Sequence, residues 1–134
     1  MSLRTPLADA RGHGSAKEGT HHWWVQRVSG VALIPLTIWF VFSVACMVGG
    51  EATLAGAVPG SDYVKFSSWA AEPFNATALI LLIVASFHHA QLGVQVVIED
   101  YVHGFWHTPL LVAVKLLSIA FAVGGTLAVL KIAL

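Results

Sequence analysis

An all-α membrane protein with three transmembrane helices is the fold class this sequence predicts, and three observations predict it. Three stretches long enough to cross a bilayer carry few or no formal charges and are separated by polar connections. Of the 134 residues, 57% are hydrophobic and 10% charged, against about 25% charged in a soluble domain. The mean hydropathy is +0.76. The formal net charge is zero, which gives no basic footprint for nucleic acid. The single cysteine, Cys46, excludes an internal disulfide. It also excludes an iron–sulfur cluster held by this chain alone, which takes about four thiolates. There is no C-x-x-C-H, so a haem here would be non-covalent.

Residues 1–20 read as a flexible N-terminal tail, with Arg4, Arg11 and Lys17 among glycines and serines. No short apolar run with a small-residue cleavage site follows closely, so the segment does not read as a secretory signal. Residues 21–134 read as one membrane domain with spans at about 25–48, 74–100 and 108–133. His21, His22, Trp23 and Trp24 precede Arg27, and paired tryptophans beside a basic residue mark a membrane–water interface. Val28–Val48 follows without a charge, with Pro35 inside it, a kink that neighbouring helices can accommodate. Residues 49–73 form a mixed connection, with a short interfacial helix expected around Tyr63–Ala71.

The second span runs from Phe74 and ends in Glu99-Asp100-Tyr101. His103, Gly104, Trp106 and His107 form a short turn, and Pro109 suits the first turn of the third helix. Lys115 lies inside that helix, and Lys131 near its end can snorkel. Arg4, Arg11, Lys17 and Arg27 precede the first span and only Lys65 follows it, so the positive-inside rule puts the N-terminus in the cytoplasm. The 99–107 turn then shares that side. Three helices with inward histidines make a poor closed bundle, which predicts completion by another subunit.

Phe87–Tyr101 carries the chemistry. Ionisable residues at membrane depth mark functional sites by default. From His89 to Asp100 a helix turns roughly 1100°, three turns and about 20°, so the two share a face about 16 Å apart. Gly93 lies on that face and leaves room for a flat group. His88 points about 100° away. A neutral imidazole buried mid-span suits the axial position of a haem iron, and the second ligand would come from a partner chain, because His21, His22, His103 and His107 are interfacial. The alternative is a histidine that hydrogen-bonds a carbonyl across the bundle. Glu99 and Asp100 oppose the helix dipole at a C-terminus. Glu99 reads as a solvated acid. Asp100-Tyr101 reads either as part of an aromatic belt or as a contact for a polar ring, because a tyrosine hydroxyl can donate to a quinone carbonyl. Arg27 lies at the same depth. Topology alone accounts for an arginine there, and haem propionates or Asp100 are the other candidate partners.

His89, ten intervening residues and Asp100-Tyr101 resemble the H-x10-D-Y pattern of the small hydrophobic membrane-anchor subunit of succinate dehydrogenase, respiratory complex II. The opening HHWWVQRVSGVALIPLTIWF is similar to the first helix of that family. The resemblance covers roughly residues 20–134. It implies that His89 is an axial ligand of haem b, shared with a histidine of a sister cytochrome b-type anchor subunit. It implies that Tyr101 hydrogen-bonds ubiquinone, with Asp100 as its acidic neighbour. Arg27 matches an arginine near the haem propionates and the quinone pocket, and His21 matches a histidine near the propionates, a place for which His22 competes. The Val28-Ser29-Gly30 after Arg27 is closer to the R-x-S-G of the sister subunit, which leaves the role of Ser29 open. The implied partners are the iron–sulfur subunit, the flavoprotein subunit and the lipid of a bacterial inner membrane. The chain would be a subunit of succinate:quinone oxidoreductase and not an enzyme alone. The other readings are the anchor of a quinol–fumarate reductase and a cofactor-free structural or assembly subunit.

Overall fold

The computed structural model describes residues 17–49 and 61–134, together with Thr5 and Leu7. Arg4 and Arg11, which carry part of the orientation argument, lie outside the described residues. Among the described residues the α-helices in chain order are α1 (Lys17–Gly49), α2 (Ser61–Ala71), α3 (Pro73–Tyr101) and α4 (His107–Ala133). A 3-10 turn, Gly104–Trp106, precedes α4. No strand occurs among the described residues. The segments Thr20–Met47, Pro73–Tyr101 and Gly104–Ala133 are each long and apolar enough to cross a membrane. The protein is a multi-pass, all-helical membrane protein, as its charge-free runs predict. The short helix expected in the connection is α2. Helix α1 begins at Lys17, inside the stretch expected to be tail, so His21–Trp24 are helical.

Local chemistry accounts for the boundaries. Pro73 opens α3, where its missing N–H costs nothing. The Asn75 side-chain amide donates to the Trp69 carbonyl at 2.9 Å, and the Glu72 N–H donates to the same oxygen at 3.3 Å. These two bonds satisfy a carbonyl left open at the end of α2. Between α3 and α4, Gly104 has φ +80°, a left-handed conformation that a glycine adopts without steric cost.

Helix α3 is central. It packs most extensively on α4, then on α1, and α2 touches both α3 and α4. The core gathers at one end of the bundle. Ala70, Ala76, Leu79 and Val129 are buried there, with Trp39, Trp69 and Ile83 packed around them. Trp39 stacks on Trp69 at 5.5 Å and meets Phe74 edge-on at 6.2 Å. The α3–α4 seam is tighter still: a Cβ added to Gly125 would stand 2.9 Å from Ile83 Cγ2. Most large apolar side chains face outward. Lipid tails are as apolar as leucine, so small residues and polar contacts, not apolar burial, are expected to hold such helices together.

Candidate functional site

The far end of the bundle is open. There α1 and α3 bound a cavity of about 950 Å³, lined on α1 by His22, Trp23, Gln26, Arg27, Gly30, Val31 and Ile34, and on α3 by His89, Leu92, Gln95, Val96 and Glu99. That volume lies near the upper end of the range for small-molecule and cofactor pockets, roughly 300–1,000 Å³.

His89 is part-buried in this cavity, and both of its ring nitrogens face polar groups of α1. Ser29 Oγ lies 3.0 Å from His89 Nδ1. The same hydroxyl donates to the Gln26 backbone carbonyl at 3.0 Å. Its one proton is therefore committed, and Oγ accepts from Nδ1–H. That leaves a lone pair on Nε2, which accepts from Gln26 Nε2 at 3.3 Å. The reverse amide orientation would place an oxygen against Nε2. The ring proton would then sit on Nε2, and Ser29 would have to give up its carbonyl to serve Nδ1. The observed arrangement leaves one loose end: the buried Gln26 Oε1 has no hydrogen-bond partner. An orphaned acceptor costs about 1–3 kcal/mol.

Gly30 makes this approach possible, since a Cβ there would stand 3.3 Å from His89 Cε1. A Cβ on Gly93 would make only an ordinary 3.6 Å contact with Gln26 Nε2.

The other predicted residues separate into two groups. Arg27 lines the His89 cavity, with its guanidinium 5.4 Å from the centre of the Trp23 ring. Arg27 and Glu99 face one cavity. Asp100 and Tyr101 are exposed and do not line the cavity; Tyr101 is 80% exposed. Glu99 lines it instead. Helices packed along one another follow a repeat of 3.5 residues, in which positions ten and eleven lie about 50° to either side of the start. The straight-helix angle thus overstates how closely Asp100 follows His89. Gln95 settles the choice, since its buried amide donates to Glu99 Oε1 at 2.8 Å and its oxygen accepts from Gln91 at 3.4 Å. His22 lines the His89 cavity, whereas His21 lines a second one of about 490 Å³ with His88 and Lys115. His88 and His89 point to different cavities, as the helix geometry requires.

Gln26, Ser29, Gly30 and Gln95 were not singled out as site residues from sequence. The Gln91, Gln95, Glu99 spacing was readable, but neutral amides are invisible to a count of charges. Among the described residues no three His, Cys, Asp or Glu side chains converge on a bare-ion site. A single imidazole whose Nε2 lone pair is engaged only by a 3.3 Å amide contact, an orphaned amide oxygen and a wide cavity suit a cofactor that brings most of its own metal ligands.

Residues 1–129 match the family described as succinate dehydrogenase/fumarate reductase transmembrane subunit. The chain belongs to that family. This member is 36% identical over 129 residues to the succinate dehydrogenase hydrophobic membrane anchor subunit of Rickettsia bellii, covering 95% of this chain and 94% of that one. It is 36% identical over 101 residues to the subunit of that name from Rickettsia conorii, covering 75% and 71% of the two chains. It is 33% identical over 104 residues to that of Paracoccus denitrificans, covering 78% and 72%. No solved structure matches the chain. The resemblance drawn from the H-x10-D-Y pattern and the first helix therefore holds at the level of the family.

Proposed function

We propose that this family member is the hydrophobic membrane anchor subunit of a succinate dehydrogenase, one that contributes half of a haem b site and part of a ubiquinone-reduction site. The observation that carries the reading is His89, held in a cavity with Nδ1 against Ser29 and with an Nε2 lone pair that meets only the Gln26 amide, a 3.3 Å contact that iron would displace. Axial histidines need that tautomer. Haem b, when bound, supplies a one-electron redox centre. His89 would hold its iron through Nε2. Arg27 is placed to neutralise propionates, with His22 in the same cavity and His21 in the adjoining one. The second axial histidine would belong to a sister cytochrome b-type anchor subunit.

Tyr101 would donate its O–H to a carbonyl of ubiquinone, the substrate. Asp100 would hold the phenol or pass a proton toward the quinone oxygen. Both side chains are exposed on this chain, which fits a quinone site completed by other subunits. The iron–sulfur and flavoprotein subunits would dock on the same side, with the N-terminus in the cytoplasm of a bacterium and the helices in its inner membrane. The family description also spans fumarate reductase, and the direction of turnover would follow from the quinone and the redox partners.

The test is the purified complex in mild detergent. It should contain the sister, iron–sulfur and flavoprotein subunits and a dithionite-reducible b-type band. His89→Ala should abolish that band, and a band that survives unchanged would remove His89 from the haem. Tyr101→Phe should lower quinone reduction about tenfold, equivalent to about 1.4 kcal/mol, with succinate–dye activity intact. Unimpaired quinone reduction would remove Tyr101 from the site.

A further inference from the structure

We infer that Ser29 is a positioning residue for the haem: its hydroxyl fixes both the tautomer and the ring plane of His89. The inference rests on the reading of His89 as an axial ligand, and it assigns a task to a residue whose role the sequence leaves open. A neutral imidazole carries one proton, and the hydrogen bond made by one nitrogen decides which nitrogen can bind a metal. Ser29 Oγ is the acceptor, 3.0 Å from Nδ1.

Ser29 is suited to accept because its own proton is spent on the Gln26 carbonyl one helical turn back, at 3.0 Å. A serine with a free hydroxyl could donate to Nδ1 and drive the ring proton onto Nε2, the tautomer that cannot ligate. Tied to the backbone, it acts as an acceptor only. The constraint also has a steric half. Gly30 brings the α1 backbone against the ring edge, so close that a Cβ there would stand 3.3 Å from Cε1. One edge of the imidazole is thus hydrogen-bonded, and the space beside the adjacent carbon on the α1 side is too narrow for even a methyl group without adjustment. The Gln26 amide meets Nε2 at 3.3 Å, a contact that iron would displace while the Ser29 bond to Nδ1 stays in place. His88, one residue earlier, faces other cavities and has no such seat.

The test uses the assembled complex with Ser29→Ala, Ser29→Thr and Ser29→Val. Threonine keeps the hydroxyl, and valine has the same shape without it. The readouts are haem per complex, the ferric low-spin EPR signal, which reports ligand-plane orientation, and the haem midpoint potential. Outer-sphere partners of metal-bound histidines are worth 10–100-fold in metal affinity. Loss of the Nδ1 acceptor weakens the donor strength of the imidazole and penalises ferric more than ferrous iron. At the lower limit, about tenfold, alanine and valine raise the potential by about 59 mV for one electron and shift the EPR signal, while threonine stays near wild type. Haem lost from the alanine and valine variants but kept by the threonine variant supports the same conclusion. Any pattern that follows side-chain volume instead of the hydroxyl overturns it, as does a haem unchanged in all three. A b-type band that survives His89→Ala in a complex with Ser29 intact would instead sink the assignment of His89 to the haem.

Discussion

Replacing Gly30 tests the His89 seat by steric means alone. A Cβ at this position would stand 3.3 Å from His89 Cε1 and 3.8 Å from Nδ1. Ordinary carbon–carbon contacts lie at about 3.5–4.0 Å, so the ring must retreat by about 0.2–0.7 Å. Retreat from α1 stretches the 3.0 Å Ser29–Nδ1 bond to about 3.2–3.7 Å, at or past the limit for a hydrogen bond. Alanine regains about 0.8–1.0 kcal/mol of helix propensity over glycine and forfeits about 0.5–1.5 kcal/mol of hydrogen bond. Gly30→Ala should therefore leave stability within about 1 kcal/mol of wild type while broadening or shifting the haem band. Gly30→Val adds two methyl carbons against the ring, and overpacking of this kind costs about 1–3 kcal/mol. Haem content should fall sharply while the chain still inserts. The assay is haem per complex by pyridine haemochrome, with thermal unfolding in detergent alongside. A Gly30→Val complex with full haem and a wild-type spectrum would show that His89 does not sit against α1.

Adjacent glycines in α4 should respond with opposite signs. A Cβ on Gly124 meets nothing within 4 Å, whereas one on Gly125 would stand 2.9 Å from Ile83 Cγ2, a methyl on a branched carbon with little freedom to move. In thermal unfolding of the purified chain, Gly124→Ala should gain up to about 1 kcal/mol and Gly125→Ala should lose stability, because about 1–3 kcal/mol of overpacking outweighs the same gain. Equal effects at the two positions would contradict the α3–α4 seam. At the closed end, Asn75→Ala removes the 2.9 Å bond to the Trp69 carbonyl and should cost about 0.5–1.5 kcal/mol. Its haem spectrum should remain unchanged, because α2 lies at the other end of the bundle.

The three spans were legible because formal charge is scarce inside them and hydrocarbon penalises it heavily. The short helix α2 lies where the mixed connection led us to expect one, and the divergence of His88 from His89 follows from helix spacing alone. The faces of the helices were harder to read. In water an apolar stripe marks the inward side, but in lipid both sides are apolar, so Gln26, Ser29 and Gln95 show their direction only once α1 and α3 are laid together. The exit of α3 shows a second limit. Asp100 shares the face of His89 on an isolated straight helix, while against α1 the hydrogen bond from Gln95 draws Glu99 to the cavity.

The two ends of the bundle hold together by different means, and this shapes how mutants at His89 should be interpreted. At the α2 end, stacked rings and small residues close the structure. At the His89 end, α1 meets α3 through the imidazole itself, which accepts from Gln26 and donates to Ser29. Interhelical hydrogen bonds of this kind are worth about 0.6 kcal/mol on average in a membrane. Two of them amount to about 1 kcal/mol, enough to change α1 docking several-fold. His89 is therefore both the candidate iron ligand and a clamp between helices. Its replacement by alanine removes a ligand and loosens the wall that carries Arg27 and His22. Loss of haem in His89→Ala would not by itself separate these causes. Ser29→Thr and Ser29→Val narrow the choice, because both keep the imidazole and its Gln26 contact, and valine gives up only one of the two interhelical bonds together with the acceptor for Nδ1–H.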